Sequence, residues 1–280
     1  MKQIILKKIQ EADVKNKFVL VRTDFNVPLK NGKILDDSRI RAALPTINYL
    51  RKKGAKIILC SHLGRPDGRV VEALRLKPVV EKLSKLLKFP VRYMKDIISE
   101  DIGYYSSDLY NGDVLLLENL RFYREEEAND PKFAKYLAGY ANIYVDDAFG
   151  AVHRAHASIT GVTKYLPSYA GLLVQKEVEN LSKLRNANRP FTAIIGGAKT
   201  DKLGLIEDLL KKVDYLVVGG LLANVLLKAR GEKINFNVDS KVLSLAKKFC
   251  NNKKLILPID FAKDKAGKIS TNDIGPQTIE

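Results

Sequence analysis

Tryptophan is absent from this chain of 280 residues, which has only two cysteines and three histidines. Because Cys60 and Cys250 lie far apart in the sequence, a disulfide-rich secreted domain is not indicated, and both thiols are expected to be reduced and buried. No apolar run approaches the ~18 residues of a membrane-spanning helix. Lys7, Lys8 and Gln10 interrupt the N-terminal segment, unlike the apolar core of a signal peptide. These absences predict a cytoplasmic protein that does not enter membranes.

Acidic residues are also in short supply: 32 Asp and Glu stand against 48 Lys and Arg, a formal net charge of +16. Such an excess suits nucleic acid, an anionic membrane or phosphorylated small molecules as partners. Nucleic-acid-binding proteins usually gather basic residues on one face or tail, often with stacking aromatics nearby. Here the basic residues are spread along the whole chain, so nucleic acid is disfavoured as the partner.

Short apolar runs alternate with longer segments of helical period, which is typical of a mostly parallel sheet covered by helices. In the first half, the runs predicted as buried strands are Phe18–Val21, Lys56–Cys60, Val114–Leu117 and Ile143–Val145. The segments predicted as helices between them are Arg39–Lys53, Lys77–Leu87 and Pro131–Tyr140.

The alternation restarts in the second half, where the predicted strands are Phe191–Ile195, Tyr215–Val218 and Lys254–Leu257. Between the two halves, Gly171–Leu184 has the period of an amphipathic helix. We therefore predict an α/β protein with two Rossmann-like domains and mostly parallel sheets. The predicted divisions are an N-terminal domain over residues 1–168, an interdomain helix over 169–184, and a partial, truncated C-terminal domain over 185–280.

The residues that follow the four strands of the first half are polar or basic, and they include all three histidines. They are Asp24 and Asn26; Ser61, His62, Gly64 and Arg65; Glu118, Asn119 and Arg121; and Asp146, Asp147, His153, Arg154 and His156. Ligands of open α/β sheets bind just beyond the carboxyl ends of the strands. Since guanidinium groups bind phosphate and carboxylate in bidentate geometry, this edge is predicted to hold a small, multiply anionic ligand.

Two other kinds of site are disfavoured at this edge. His153 and His156 have a spacing that metal ligands use, but Arg154 lies between them and no third nitrogen or sulfur ligand is near in sequence. Ser61 and His62 are adjacent, which fixes no productive Ser–His geometry, and no nucleophile elbow surrounds them. We therefore predict neither a metal site nor a nucleophilic triad. Taken singly, each strand-end residue is also compatible with a turn, a helix cap or a structural role.

Glycine pairs follow two predicted strands of the second half: Gly196-Gly197 and Gly219-Gly220. The first pair leads into a predicted helix that carries Lys199 and Lys202. Backbone amides at such a turn suit phosphate, although the segment matches neither the Walker pattern nor G-x-G-x-x-G. Two glycine-lined strand ends side by side would leave a flat slot in which a purine lies against the backbone.

Six segments, in order along the chain, resemble signature motifs of the phosphoglycerate kinase family. They are Val21–Leu29 (VRTDFNVPL), Ser61–Pro66 (SHLGRP), Leu117–Phe122 (LENLRF), Asp146–Ser158 (DDAFGAVHRAHAS), Gly196–Lys199 (GGAK) and Asp273–Pro276 (DIGP). The resemblance implies a glycolytic enzyme that moves a phosphoryl group reversibly between 1,3-bisphosphoglycerate and ADP, giving 3-phosphoglycerate and ATP. Mg²⁺ would be carried with the nucleotide, and the protein would be a monomer.

The resemblance also implies roles for individual residues. Asp24 and Asn26 would hold the hydroxyl and carboxyl end of the glycerate, and Arg39 would reach the phosphoryl group in flight. The residues implied to bind the phosphate of the glycerate are His62, Arg65, Arg121 and Arg154. The residues implied to line the nucleotide are Gly196, Gly197, Gly219 and Gly220, with Lys199 and Lys202 reaching its phosphates as catalytic cations. With substrate on one domain and nucleotide on the other, the domains would close before transfer.

Three departures from the family pattern qualify these expectations. The stretch Lys199–Lys202 is one residue shorter than in the family, and one residue turns a helix by ~100°. Leu221-Leu222 stands where the family more often has Gly then Met. The family's later segments, including a glycine-rich loop whose acidic residue helps to hold the magnesium nucleotide, have no counterpart before Glu280. We therefore expect the 280 residues to bind 3-phosphoglycerate but to transfer phosphate poorly or not at all. The alternative to a kinase is a phosphoglycerate-binding module without turnover.

Overall fold

A computed structural model of the chain describes residues 6–98, 108–197, 203–234, 237–259, 261–263 and 267–269. Contacts between residues divide the chain into two compact units, Met1–Lys183 and Leu184–Glu280. Each unit has its own hydrophobic core.

The first unit is built on a sheet of six parallel strands with the order β5-β6-β4-β1-β7-β8. A two-stranded antiparallel hairpin, β2-β3, follows the first strand. The strands are β1 (Phe18–Arg22), β2 (Leu29–Lys30), β3 (Lys33–Ile34), β4 (Lys56–Cys60), β5 (Val91–Met94), β6 (Val114–Leu117), β7 (Ile143–Asp146) and β8 (Ser168–Ala170).

Both faces of the six-stranded sheet are covered, which explains why its central strands read as continuous apolar runs. Along β1, Val19 and Val21 belong to one hydrophobic cluster and Leu20 to the other. The helices of this unit are α1 (Ser38–Lys52), α2 (Lys77–Leu87), α3 (Arg124–Glu127), α4 (Pro131–Ala138) and α5 (Leu172–Lys183). Helix α4 begins where the sequence favours a start: Asp130 accepts a hydrogen bond from the Phe133 amide at 2.8 Å, and Pro131 occupies the first turn.

The second unit contains a three-stranded parallel sheet with the order β11-β10-β9 and an antiparallel hairpin, β12-β13. Its strands are β9 (Thr192–Ile195), β10 (Tyr215–Val218), β11 (Leu255–Ile256), β12 (Phe261–Lys263) and β13 (Gly267–Ile269). Its helices are α6 (Leu203–Leu210), α7 (Gly220–Arg230) and α8 (Ser240–Lys247). One face of the three-stranded sheet packs into the core through residues such as Leu216 and Val218, whereas Ile194 on the other face is 81% exposed.

The predicted fold class, α/β with mostly parallel sheets, is confirmed by this architecture. The sequence did not predict β5 and β8 at the two edges of the first sheet. Their exposure patterns, with only the two ends of β5 and the last residue of β8 buried, explain why no continuous apolar run marks them. Among the described residues, no helix has the length and apolar character needed to cross a bilayer.

Candidate functional site

The carboxyl ends of four neighbouring strands meet at one edge of the first sheet. In the register of the sheet, Arg22 at the end of β1 lies opposite Cys60 of β4 on one side and Asp146 of β7 on the other. The loops after these strands therefore start side by side, at the edge where open α/β sheets bind ligands.

Arg22 is fully buried at this edge and contacts His62 directly. Its Nη2 lies 3.1 Å from Nδ1 of His62, its Nε donates to Oγ of Ser158 at 2.8 Å, and its Nη1 donates to the carbonyl of Thr23. Since a guanidinium group has no acceptor, Nδ1 of His62 must accept the hydrogen bond. The ring proton of His62 is consequently on Nε2.

His62 is buried among cationic groups. Burial lowers the pKa of His62, and the charges of Arg22, Arg121 and Arg154 lower it further, to about 2. The imidazole is therefore neutral at physiological pH, and it can offer an anionic ligand a hydrogen bond from Nε2 without carrying a charge of its own.

Arg121 is buried on a short 3-10 turn, Leu120–Phe122, directly after β6. Its Nη1 donates to the carbonyl of Gly64 at 2.7 Å, and its Nε lies 3.0 Å from Oε1 of Glu127. Burial lowers the pKa of Arg121, and although Glu127 raises it, the nearby guanidinium group of Arg154 lowers it further. The edge thus concentrates positive charge in a confined space.

Arg154 and Arg65 complete the basic part of the edge. The Nε of Arg154 is buried and has no hydrogen-bond partner among the described residues, so it is a donor without an acceptor. Arg65 is exposed on the loop after β4, yet its charge also reaches Arg121. An anion with several oxygens would satisfy such donors. We name the set Arg22, His62, Arg65, Arg121 and Arg154 the basic edge.

The remaining predicted residues of the first unit lie beside the basic edge. Asp24 forms an ion pair with Arg39, whose side chain is about half exposed at the start of α1. The amide oxygen of Asn26 accepts a hydrogen bond from the Gly64 amide at 2.9 Å, which ties the loop after β1 to the loop after β4. The structure therefore brings Asp24, Asn26 and Arg39 near the same loops.

Two other strand-end residues, Asn119 and Glu118, form hydrogen bonds within the protein and hold its loops in place. Asn119 accepts from the amides of Leu63 and Arg121, each at 3.1 Å, and donates to the carbonyls of Leu63 and Leu74 at 2.8 and 3.0 Å. Glu118 is likewise buried and accepts from Arg75 at 2.9 Å. Asn119 fixes the loops of the site, since its hydrogen-bonding groups are all engaged.

Sequence reasoning missed two residues that contact this region, Arg22 and Glu126. The only signal in the sequence for Arg22 was its position directly after the apolar run Phe18–Val21. Glu126 is hidden in the run Glu125-Glu126-Glu127, yet it is fully buried and holds Ser158. Burial raises the pKa of Glu126, but its hydrogen bond with His156 and the charge of Arg22 outweigh burial, so that the net shift is downward.

Asp147 couples the end of β7 to the start of α5. It is fully buried, and its Oδ1 accepts a hydrogen bond from the Leu173 amide at 2.9 Å. Burial raises its pKa, and although hydrogen bonds from Thr46 and the first turn of α5 lower it, the result is about 7. This carboxyl group faces the helix rather than the basic edge.

In the second unit, the two glycine pairs lie backbone to backbone. The Gly219 amide donates to the Ile195 carbonyl at 2.9 Å, and the Leu221 amide donates to the Gly197 carbonyl at 3.1 Å. Gly220 has a φ of +61°, and a Cβ atom there would lie 3.0 Å from the Gly197 carbonyl oxygen. Only glycine fits this close approach without strain. Lys199, Lys202 and the segment Asp273–Pro276 lie outside the described residues.

Neither a metal centre nor a disulfide is found in the part of the chain that the structure describes. No group of three or more His, Cys, Asp or Glu side chains there could hold a metal ion. Cys60 and Cys250 are both buried as free thiols, and burial raises the pKa of Cys60 to about 12.

Comparisons with known proteins agree on one family. The family model "Phosphoglycerate kinase" matches residues 9–280. The phosphoglycerate kinase of Dictyoglomus turgidum is 49% identical over 97% of this chain and 74% of its own length. That of Moorella thermoacetica is 56% identical over 80% of this chain, but the match spans only 57% of the relative.

Solved structures give the same result. The phosphoglycerate kinase of Pyrococcus horikoshii matches 98% of this chain and 76% of its own, with a TM-score of 0.85 and 30% identity. The enzyme of Coxiella burnetii matches 98% of this chain and 75% of its own, with a TM-score of 0.78 and 36% identity. The family model covers nearly all of the chain, and the relatives share both its sequence and its fold, so the chain belongs to the phosphoglycerate kinase family.

Proposed function

We propose that this chain binds 3-phosphoglycerate and 1,3-bisphosphoglycerate at the basic edge and takes part in reversible phosphoryl transfer to and from a nucleotide. The observation that carries the proposal is the convergence of buried donors on one sheet edge, above all Arg121 and the Nε of Arg154, which has no hydrogen-bond partner within the described part of the chain. Membership of the phosphoglycerate kinase family supports the same ligand. The reaction is the glycolytic exchange between 1,3-bisphosphoglycerate with ADP and 3-phosphoglycerate with ATP.

The phosphate of the glycerate is bound by His62, Arg65, Arg121 and Arg154. His62 is neutral and donates from Nε2, while the arginines supply charge and paired donors that match phosphate oxygens. Asp24 and Asn26 hold the hydroxyl and carboxyl end. The ion pair between Asp24 and Arg39 keeps Arg39 beside this end of the ligand, from which it reaches the phosphoryl group in transfer.

The nucleotide binds along the glycine pairs, Gly196-Gly197 and Gly219-Gly220. Their backbones approach so closely that no side chain stands between a flat base and the strand ends. Lys199 and Lys202 reach the nucleotide phosphates and act as catalytic cations. Mg²⁺ enters as part of the substrate, bound to ATP or ADP.

The chemistry requires little from the protein beyond alignment and charge. The acceptor in the direction of ATP consumption is a carboxylate, which is already ionised at neutral pH, so no general base is needed. Transfer of the phosphoryl group is then promoted by positioning and by cations that match its charge. The guanidinium groups of Arg65, Arg121 and Arg154 supply such cations at the basic edge.

A coupled assay with 3-phosphoglycerate and MgATP tests the proposed reaction. Slow ADP formation that requires both substrates, and that falls further in Arg39→Ala, is the expected result. Binding of 3-phosphoglycerate without any ADP formation would instead support the alternative function, a phosphoglycerate-binding module. Failure to bind 3-phosphoglycerate at millimolar concentration would refute both.

We further propose that the protein acts as a monomer in the cytoplasm and binds neither nucleic acid nor membrane. The two buried free thiols are compatible with a reducing compartment. Light scattering of the purified chain tests the proposed monomeric state, since a dimer would give twice the mass of one chain. A salt-resistant complex with a random DNA duplex would contradict the second part.

A further inference from the structure

Glu126 is a fully buried carboxylate on α3, behind the basic edge. Both of its oxygens accept hydrogen bonds from Ser158: Oε1 from the hydroxyl at 2.6 Å and Oε2 from the backbone amide at 2.9 Å. An ionised carboxylate can only accept. The hydrogen of the Ser158 hydroxyl group therefore points at Glu126, and the lone pairs of its oxygen point elsewhere.

Those lone pairs face Arg22. The Nε of Arg22 donates to Oγ of Ser158 at 2.8 Å, and Nη2 of the same guanidinium group lies 3.1 Å from Nδ1 of His62. Because the guanidinium group is rigid and planar, the bond from Nε to Ser158 sets the direction of Nη2. The direction of Nη2 in turn decides which nitrogen of His62 must accept.

We propose that Glu126 is a positioning residue for the basic edge. Through the Ser158 hydroxyl and the Arg22 guanidinium, it holds His62 in the tautomer whose Nε2 carries the proton. That proton is the one His62 offers to an anionic ligand, which we take from the proposed function to be 3-phosphoglycerate. Glu126, Ser158, Arg22 and His62 form a buried series of hydrogen bonds, which we call the relay, from a carboxylate to a neutral donor at the edge of the sheet.

A purely electrostatic role for Glu126 predicts the opposite effect on binding. If the carboxylate only offset the positive charge of the arginines, its removal would make the edge more positive and would strengthen the attraction for an anion. If it positions the relay, its removal lets the Ser158 hydroxyl rotate and Arg22 and His62 lose their fixed geometry, so the anion binds more weakly. The sign of the change therefore separates the two roles.

The binding test uses the full chain and three variants: Glu126→Gln, Ser158→Ala and, as a matched control, Glu125→Gln. Glu125 lies on the same turn but is exposed. Calorimetric titration with 3-phosphoglycerate is expected to show affinity about tenfold weaker in the first two variants, the loss typical of one charge-assisted hydrogen bond. The control is expected to match the wild type. Equal or tighter binding by Glu126→Gln would overturn the proposal.

A second measurement needs no ligand. Nitrogen-15 NMR of the histidine rings is expected to show His62 protonated on Nε2 in the wild type and in Glu125→Gln, and a mixture of tautomers in Ser158→Ala and Glu126→Gln. An unchanged His62 tautomer in both of these variants, with thermal melts showing that they fold, would overturn the relay. If the wild type shows the Nε2 tautomer but does not bind 3-phosphoglycerate, the proposed function fails while the relay stands.

Discussion

Asp147 gives the chain a pH-dependent weak point at the start of α5. The carboxyl group is fully buried, and its Oδ2 has no hydrogen-bond partner among the described residues. Its Oδ1 accepts from the Leu173 amide, and Thr46 also hydrogen-bonds to the carboxyl group, but the neighbouring charge of Asp146 opposes its ionisation. Burial outweighs the helpful contacts and raises the pKa of Asp147 from 3.8 to about 7.

The sign and size of the effect follow from this shift. A carboxyl group whose pKa is raised on folding binds its proton more tightly in the folded chain, so stability is highest below the unfolded pKa near 3.8 and falls as pH rises. Since one pKa unit corresponds to about 1.4 kcal/mol, the loss accumulates between pH ~4 and ~7 and reaches about 4 kcal/mol above that range.

The substitution Asp147→Asn removes the ionisation while keeping an oxygen for the Leu173 amide. Urea unfolding at pH 5 and pH 8 measures the stability of the variant relative to the wild type. Relative to the wild type, the variant is expected to gain about 3 kcal/mol in the free energy of unfolding between pH 5 and pH 8. The reason is that the buried carboxyl group of the wild type has lost most of its proton at pH 8. Asp67→Asn, at an exposed loop position, is the control and should show no such change. An equal difference in stability between the variant and the wild type at the two pH values would contradict a raised pKa of Asp147.

Three further predictions concern the site itself. Arg39→Ala is expected to lower kcat roughly a hundredfold while changing the Kd of 3-phosphoglycerate little, because we propose that Arg39 contacts the phosphoryl group in transfer; an unchanged kcat in the coupled assay would contradict that role. Asn119→Ala is expected to lower the free energy of unfolding in urea by about 3 kcal/mol, since the variant loses four hydrogen bonds, three of them buried; a loss below ~0.5 kcal/mol would contradict this. Gly220→Ala is expected to lower the free energy of unfolding by about 1–2 kcal/mol, because Gly220 has a positive φ, and to weaken ADP binding as measured by calorimetry. Unchanged ADP affinity would argue against a nucleotide at the glycine pairs.

The strands that carry the site could be predicted because they are buried on both faces. Apolar runs such as Val114–Leu117 belong to a sheet with core on each side, so the sequence marks them without ambiguity. The short edge strand β8 carries no such run, since only its last residue is buried. Burial on both faces, rather than intrinsic strand propensity, is what made the central strands predictable from the sequence.

The sequence could not predict which polar residues stay available to a ligand and which form hydrogen bonds inside the fold. Asn26 and Asn119 both follow strands, but the side-chain hydrogen-bonding groups of Asn119 are all engaged by the backbone, while the amide nitrogen of Asn26 has no hydrogen-bond partner among the described residues. Glu126 and its exposed neighbour Glu125 have the same side chain, and only the packing of α3 separates them. Roles that depend on contacts between distant segments, such as Arg22 with Ser158, appear only once the chain is folded.

Calorimetric titration of the wild type and His62→Ala with 3-phosphoglycerate, and separately with ADP, tests whether the basic edge binds the glycerate and a separate site binds the nucleotide. His62 lies in the first unit, whereas the glycine pairs lie in the second. We predict that His62→Ala weakens 3-phosphoglycerate binding at least tenfold and leaves ADP binding unchanged. Equal losses for both ligands, or an unaltered affinity for 3-phosphoglycerate, would contradict it.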